Sequence, residues 1–159
     1  MFKKFLQLLV VAIAATGIVA CQNDALTPDA SNGVVTFKIG AESHLSTRAI
    51  SDGTGATQLS WAVFTEDGEL ITKKATKDNV TSMLTAEGYE MYLTLAKGKT
   101  YVVAFWAQNP QCEAYTVSDD MKVEINYDGV NNDERRDAFF AATEPFTVDG
   151  DAVISVVLR

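Results

Sequence analysis

In four separate stretches of this chain, apolar side chains recur at every second residue. In "VVTFKIG", Val35, Phe37 and Ile39 share one face. In "MYLTLA", Met91, Leu93 and Leu95 share one face, with Tyr92 and Thr94 opposite. In "MKVEINY", Met121, Val123, Ile125 and Tyr127 point one way and Lys122, Glu124 and Asn126 the other. In "AVISVVL", Ala152, Ile154, Val156 and Leu158 form the apolar side. Successive side chains of a strand leave opposite faces of the sheet, so this period calls for half-buried β-strands.

Two further runs, "LSWAVF" and "YVVAFWAQ", are apolar on both faces. Such runs belong in the middle of a sheet, with Trp61 and Trp106 near the core as packing residues. The expected core is Phe37, Trp61, Val63, Leu93, Val103, Phe105, Val123, Ile154 and Val156. Glycine pairs punctuate the strands. Asp67-Gly68 supplies the positive φ that a two-residue hairpin turn needs, and Asp128-Gly129 and Asp149-Gly150 are similar. Lys97-Gly98 marks a turn between "MYLTLA" and "KTYVVAFWA". Residues 133–137 can open a helical turn, and Phe139 and Phe140 beyond it need cover. Short strands at this spacing predict an all-β sandwich or barrel.

The first 20 residues stand apart. Lys3 and Lys4 precede an almost wholly apolar run that ends in small residues, the pattern of a secretory signal peptide. The alternative is an uncleaved membrane anchor, although a spanning helix usually needs about 20 apolar residues. The leader closes with "GIVAC". Ile18, Val19 and Ala20 before Cys21 match the bacterial lipobox, with signal peptidase II cutting between Ala20 and Cys21. The Cys21 thiol would carry a diacylglycerol and its new amine a further chain, and several chains on one residue anchor lastingly where one does not. Residues 21–33 then read as a flexible polar tether, and residues 34–159 as one domain large enough for its own core.

The formal charge is −8, and losing Lys3 and Lys4 with the leader makes it −10. An acidic chain without a basic cluster is not expected to bind nucleic acid. With Cys21 lipidated, Cys112 has no intrachain partner, and a buried small side chain is the expected role. His44 is the only histidine, which leaves a nucleophilic triad without a base and zinc without a ligand cluster. Asp119-Asp120 reads as a solvated turn. "DGVNNDERRD" is rich in oxygen donors but fails the calcium-loop pattern, with Val130 third and Phe139 twelfth. Its Arg135 and Arg136 are placed to neutralise its own acids. No catalytic residue, cofactor or metal is expected.

The lipobox leader, "VTFKIGAESHLSTRAISDGTGATQLSWAVFTEDGEL", "KGKTYVVAFWAQNPQCEAY" and "NNDERRDAFFAAT" together resemble the fimbrillin-type surface lipoproteins of Bacteroidales. More narrowly, they resemble a fimbrillin-like domain of unknown function common in such lipoproteins. The resemblance covers nearly all of the chain beyond the leader. It implies a transthyretin-like Greek-key β-sandwich of about seven strands, lipid-anchored in the outer membrane at the cell surface or on the periplasmic face, with a role in fimbriae or adhesion. In the polymerising members an arginine-specific protease cuts after the first strand, and a strand from the next subunit fills the groove left behind. Carried over to this chain, the cut falls between Arg48 and Ala49. The strand "VVTFKIG" would be displaced, with Val35, Phe37 and Ile39 as its groove-filling residues. That strand is expected at a sheet edge, where its loss would leave a template for another chain. Fimbrillins carry a second sandwich domain, and "VISVVLR" reads as the last strand of the first, so the usual second domain is expected to be missing.

A second reading is a monomeric glycan- or small-molecule-binding lipoprotein module. It predicts an exposed aromatic platform built from Tyr89, Tyr101, Tyr115 and Trp106 on one sheet face.

Overall fold

The alternating stretches become strands, and their apolar faces meet. A computed structural model of the protein describes residues 31–41, 53–126 and 133–159. Within these the strands are β1 (Asn32–Ala41), β2 (Gln58–Thr65), β3 (Leu70–Lys77), β4 (Tyr89–Ala96), β5 (Thr100–Gln108), β6 (Tyr115–Val117), β7 (Val123–Ile125), β8 (Ala138–Ala142), β9 (Phe146–Thr147) and β10 (Ala152–Leu158). The only helical pieces among the described residues are the 3-10 turns Thr81–Leu84 and Glu134–Arg136. The protein is an all-β sandwich. Among the described residues, ten strands stand where about seven were expected, because β6, β7 and β9 are only two or three residues long.

One sheet has the order β10-β1-β4, and the other runs β3-β2-β5-β8 with β9 also on β5. The inner faces bury Val35, Phe37, Ile39, Leu59, Val63, Val103 and Phe105 almost completely. Burying each such side chain stabilises the fold by about 2 kcal/mol. Phe37 reaches from the first sheet to the second, with its ring 5.5 Å from Phe105 and 6.0 Å from Phe146. Trp61, Leu93 and Ile154 pack against this cluster half-buried, as a core role requires. Met83 from the first 3-10 turn, fully buried, joins the same cluster.

β2 and β5 are central, as their two apolar faces require. Their outer face is covered by the hairpin of β6 and β7. Ala62, Ala104 and Met121 are buried there, with Phe64, Trp106 and Val117 packed around them. The Lys74 ammonium donates to the Val117 carbonyl, and the Lys74 N–H to the Asp119 carbonyl at 2.9 Å, so the same hairpin also covers part of the β3 edge.

This hairpin corrects the reading of "MKVEINY". Only residues 123–125 are strand. The Met121 N–H donates to Ser118 O at 3.0 Å, and Met121 takes φ 60°, the left-handed corner of the turn. The chain therefore reverses where the alternation suggested continuity. Met121 is buried by the turn, Ile125 is exposed, and Val123 lies outside the buried core clusters. Tyr127 and Asp128-Gly129 lie outside the described residues.

The turns act as follows. Gly68 closes the β2–β3 hairpin with φ 83°. The Thr65 N–H donates to Glu69 O and the Gly68 N–H to Thr65 O, giving a three-residue loop in place of the two-residue one. Lys97-Gly98 and Asp149-Gly150 carry the chain between sheets rather than between hairpin partners. Residues 133–137 form the expected helical turn, with the Asp133 carboxylate accepting the Arg135 N–H at 3.0 Å. Phe139 packs on the core, whereas Phe140 points outward at 47% exposure, because neighbouring strand residues cannot both face in.

Candidate functional site

The predicted strand residues lie at the centre of the sandwich. Val35, Phe37 and Ile39 of β1 are each 0% exposed. β1 pairs with β10 in parallel, from Val35 opposite Ala152 to Ala41 opposite Leu158. On its other side it pairs with β4 antiparallel, from Asn32 opposite Ala96 to Ile39 opposite Tyr89. β1 is therefore the middle strand of its sheet, not an edge strand as expected. Alternation reports which face of a strand is buried, not how many neighbours it has. The parallel neighbour comes from the far end of the chain: Val34 and Asp151, hydrogen-bonded across this junction, are 117 residues apart.

The slot that holds β1 has two backbone edges and an apolar floor. Taking β1 away would leave unpaired N–H and C=O groups on both β4 and β10, above a void beneath three side chains. Both ends of the slot are tightly built. At the first, a Cβ on Gly33 would stand 2.6 Å from Gly150 O and 2.8 Å from a Val148 methyl. The Val34 N–H donates to Asp151 Oδ1 at 2.9 Å, and the Lys97 N–H donates to Ser31 O at 2.8 Å. At the second end, Gly88 (φ 72°) lies so near the β1 backbone that a Cβ would be 3.0 Å from Ile39 O. At that same end, a Cβ on Gly40 itself would meet nothing within 4 Å.

The outer face of this sheet is polar around Lys38. Its ammonium meets Glu90 at 3.1 Å, and the Tyr92 hydroxyl donates to the same carboxylate at 3.1 Å. The Lys38 hydrogen bond first, and then that of Tyr92, hold the Glu90 carboxyl below its usual range.

The four aromatics proposed as a glycan platform are not on one face. Tyr101 is buried in the core and donates to Ala96 O at 3.3 Å. Tyr89 packs on the same core, with the Lys77 ammonium 5.3 Å from its ring centroid. Trp106 and Tyr115 meet edge to face at 5.5 Å on the opposite side of the second sheet. The Trp106 indole N–H donates to Gln108 and the Tyr115 hydroxyl to Arg136 O, so their polar tips are tied within the fold.

A polar cleft of about 160 Å³ lies beside Tyr115, lined by Gln111, Cys112, Glu113, Asn126, Arg135 and Arg136. The Cys112 thiol is buried, as expected of a packing residue. Arg135 grips Asp133 with its Nε at 2.9 Å and its Nη2 at 2.7 Å, which pushes the Asp133 carboxyl down to about 2. Asp119 and Asp120 form an ion-paired turn, with Lys73 3.3 Å from Asp119 and Lys122 2.5 Å from Asp120. Among the described residues, no group of three or more His, Cys, Asp or Glu side chains is placed to hold a metal ion. Ala20, Cys21, His44, Arg48 and Ala49 lie outside the described residues. No described helix is long and apolar enough to cross a membrane.

Residues 27–159 match DUF6562, a family of unknown function. The chain belongs to that family. No curated protein matches it. Solved structures share the fold of this DUF6562 chain at low identity. The fimbrial anchor protein Mfa2 from Porphyromonas gingivalis is 16% identical with a TM-score of 0.56, over 80% of this chain and 50% of that one. A proposed polysaccharide-binding protein (DUF1812) from Bacteroides thetaiotaomicron VPI-5482 is 15% identical with a TM-score of 0.54, over 79% of this chain and 46% of that one. The DUF6562 chain thus spans about half the length of the solved chains it matches.

Proposed function

We propose that this DUF6562 chain is a fimbrial subunit-like or fimbria-associated protein, lipid-anchored through Cys21 at the outer membrane and facing the cell surface. Its work is structural or adhesive, not catalytic. Cleavage between Arg48 and Ala49 separates β1 from the rest of the domain, and a strand from another fimbrial subunit takes its place. The observation that carries this reading is the state of β1: a strand with three fully buried side chains, held between two backbone edges. It lies between the polar tether and the stretch that carries Arg48. A fold shared with a fimbrial anchor protein supports it.

The central position of β1 shapes how such a step would run. Two ladders and a buried face hold β1 in place, so a cut by itself does not release it, and an incoming strand has to displace it. The test is an Arg48→Ala chain in the native host. Wild-type protein should appear as a shortened form associated with other surface subunits. The variant should stay full-length and lose that association. An unchanged pattern in the variant would refute the cleavage step.

The polar cleft beside Tyr115, with its amide, carboxylate and guanidinium groups, favours a second reading in which this surface module binds a glycan. It would show as binding on a glycan array that Glu113→Ala abolishes.

A further inference from the structure

We propose that Gly33 sets the register of whatever strand fills the β1 slot. The slot then selects, in a second polypeptide chain, an extended segment with glycine followed by apolar residues two, four and six positions on. This inference rests on the reading that the strand is exchanged, and it names the chemistry of the strand that can enter.

The selection is built from both ends of the slot. Gly33 is buried, and a side chain there would meet the backbone of Gly150 at 2.6 Å. That obstacle is a carbonyl, which cannot swing aside as the end of a flexible side chain can. From Gly33, the three positions that face the core are Val35, Phe37 and Ile39, each fully buried. Sliding a strand by one residue would turn its apolar set to water. Sliding it by two keeps the face but puts a side chain where Gly33 now sits. Glycine is therefore what separates the correct register from the next one that keeps the apolar face inward.

Two further contacts refine the choice. The Val34 N–H donates to Asp151 Oδ1, so the residue after the glycine needs a free N–H and cannot be proline. Five positions after the glycine, Lys38 meets Glu90 at 3.1 Å, so a basic residue is favoured there. That pair is exposed and contributes little affinity. It biases the choice between strands that already fit.

Gly40 supplies the internal control. It lies on the same strand, and a Cβ there meets nothing within 4 Å. Glycine to alanine is the same chemical change at both positions, blocked at one and free at the other.

The test uses the full chain with a site-specific protease sequence in place of residues 46–51. After cleavage, denaturant separates the fragments. The larger one is refolded with synthetic peptides of residues 31–41, and Trp fluorescence reports refilling. The unmodified peptide and the Gly40→Ala peptide should refill the slot alike. The Gly33→Ala peptide should bind at least about fivefold more weakly, because overpacking against backbone is not relieved. Equal binding of the Gly33→Ala peptide would overturn the proposal, as would equal weakening by Gly40→Ala. Failure of the unmodified peptide to refill the slot would overturn it too. The outcome is independent of whether cells cut after Arg48, so this inference and the proposed maturation step fail separately.

Discussion

Gly33 and Gly150 touch through backbone alone: a Cβ on Gly33 would lie 2.6 Å from the Gly150 carbonyl oxygen. The contact fixes the start of β1 against the turn that leads into β10. In the intact chain, Gly33→Ala should cost about 1–3 kcal/mol, the usual range for overpacking. Gly40→Ala should be neutral or slightly stabilising, because alanine loses less freedom on folding than glycine does. Thermal unfolding of the two variants side by side checks this. A Gly33→Ala chain as stable as wild type would mean that the turn at Gly150 yields.

Phe37 joins the two sheets through Phe105 and Phe146. Phe37→Ala should cost about 3–5 kcal/mol, in the range for deleting a buried aromatic ring. Lys38→Ala, one residue further along on the outer face, should change stability by no more than about 0.5 kcal/mol. Chemical denaturation of both variants measures the contrast. It separates a buried ring from an exposed ion pair on the same strand.

Met121 combines a left-handed backbone with a buried side chain. Replacing it with glycine relieves backbone strain of about 1–3 kcal/mol but removes a core side chain worth about 2–5 kcal/mol. The loss should prevail, so Met121→Gly is predicted to destabilise, with the Trp106 environment beneath the hairpin changing first. Denaturation followed by Trp fluorescence reads both. A gain in stability would show that the hairpin contributes little to packing on the outer face.

Asp120 is held at about 2 by hydrogen bonds from Lys122 first and Ser118 second. Asp133 is held at about 2 by Arg135. Both carboxyls are depressed below their unfolded value, so their contribution to stability is fully present above about pH 4. It is lost as the pH falls towards 2. Both groups are half-buried at the surface and still reached by solvent, so the contribution is small and screened by salt. Carboxyl NMR titration should find both midpoints near 2, and Lys122→Ala should move that of Asp120 back towards the ordinary aspartate range.

Much of the fold was legible because alternation is local. β1, β4 and β10 show their buried faces in their own sequence, and the doubly apolar β2 and β5 announced central positions. What the sequence did not show were relations between distant segments. The parallel pairing of β1 with β10 depends on residues more than a hundred apart, so β1 was expected at an edge. The hairpin across the second sheet was hidden because Met121 fits an alternating strand as well as it fits a turn. Phe139-Phe140 looked like a buried pair, yet a strand can bury only one of them. Gly33 gave no signal at all, since a glycine that avoids a clash and a glycine in open space, like Gly40, read alike. The polar cleft was equally hidden, because Gln111 and Asn126 come together only through the fold.

The proposed maturation is tested most directly by the N-terminus of the protein recovered from native outer membranes. Intact mass and N-terminal sequencing should find a fragment beginning at Ala49, together with a lipid-bearing fragment beginning at Cys21. A single species that begins at lipidated Cys21 and runs unbroken through β1 would contradict strand exchange, and would leave an anchored sandwich that keeps its own first strand.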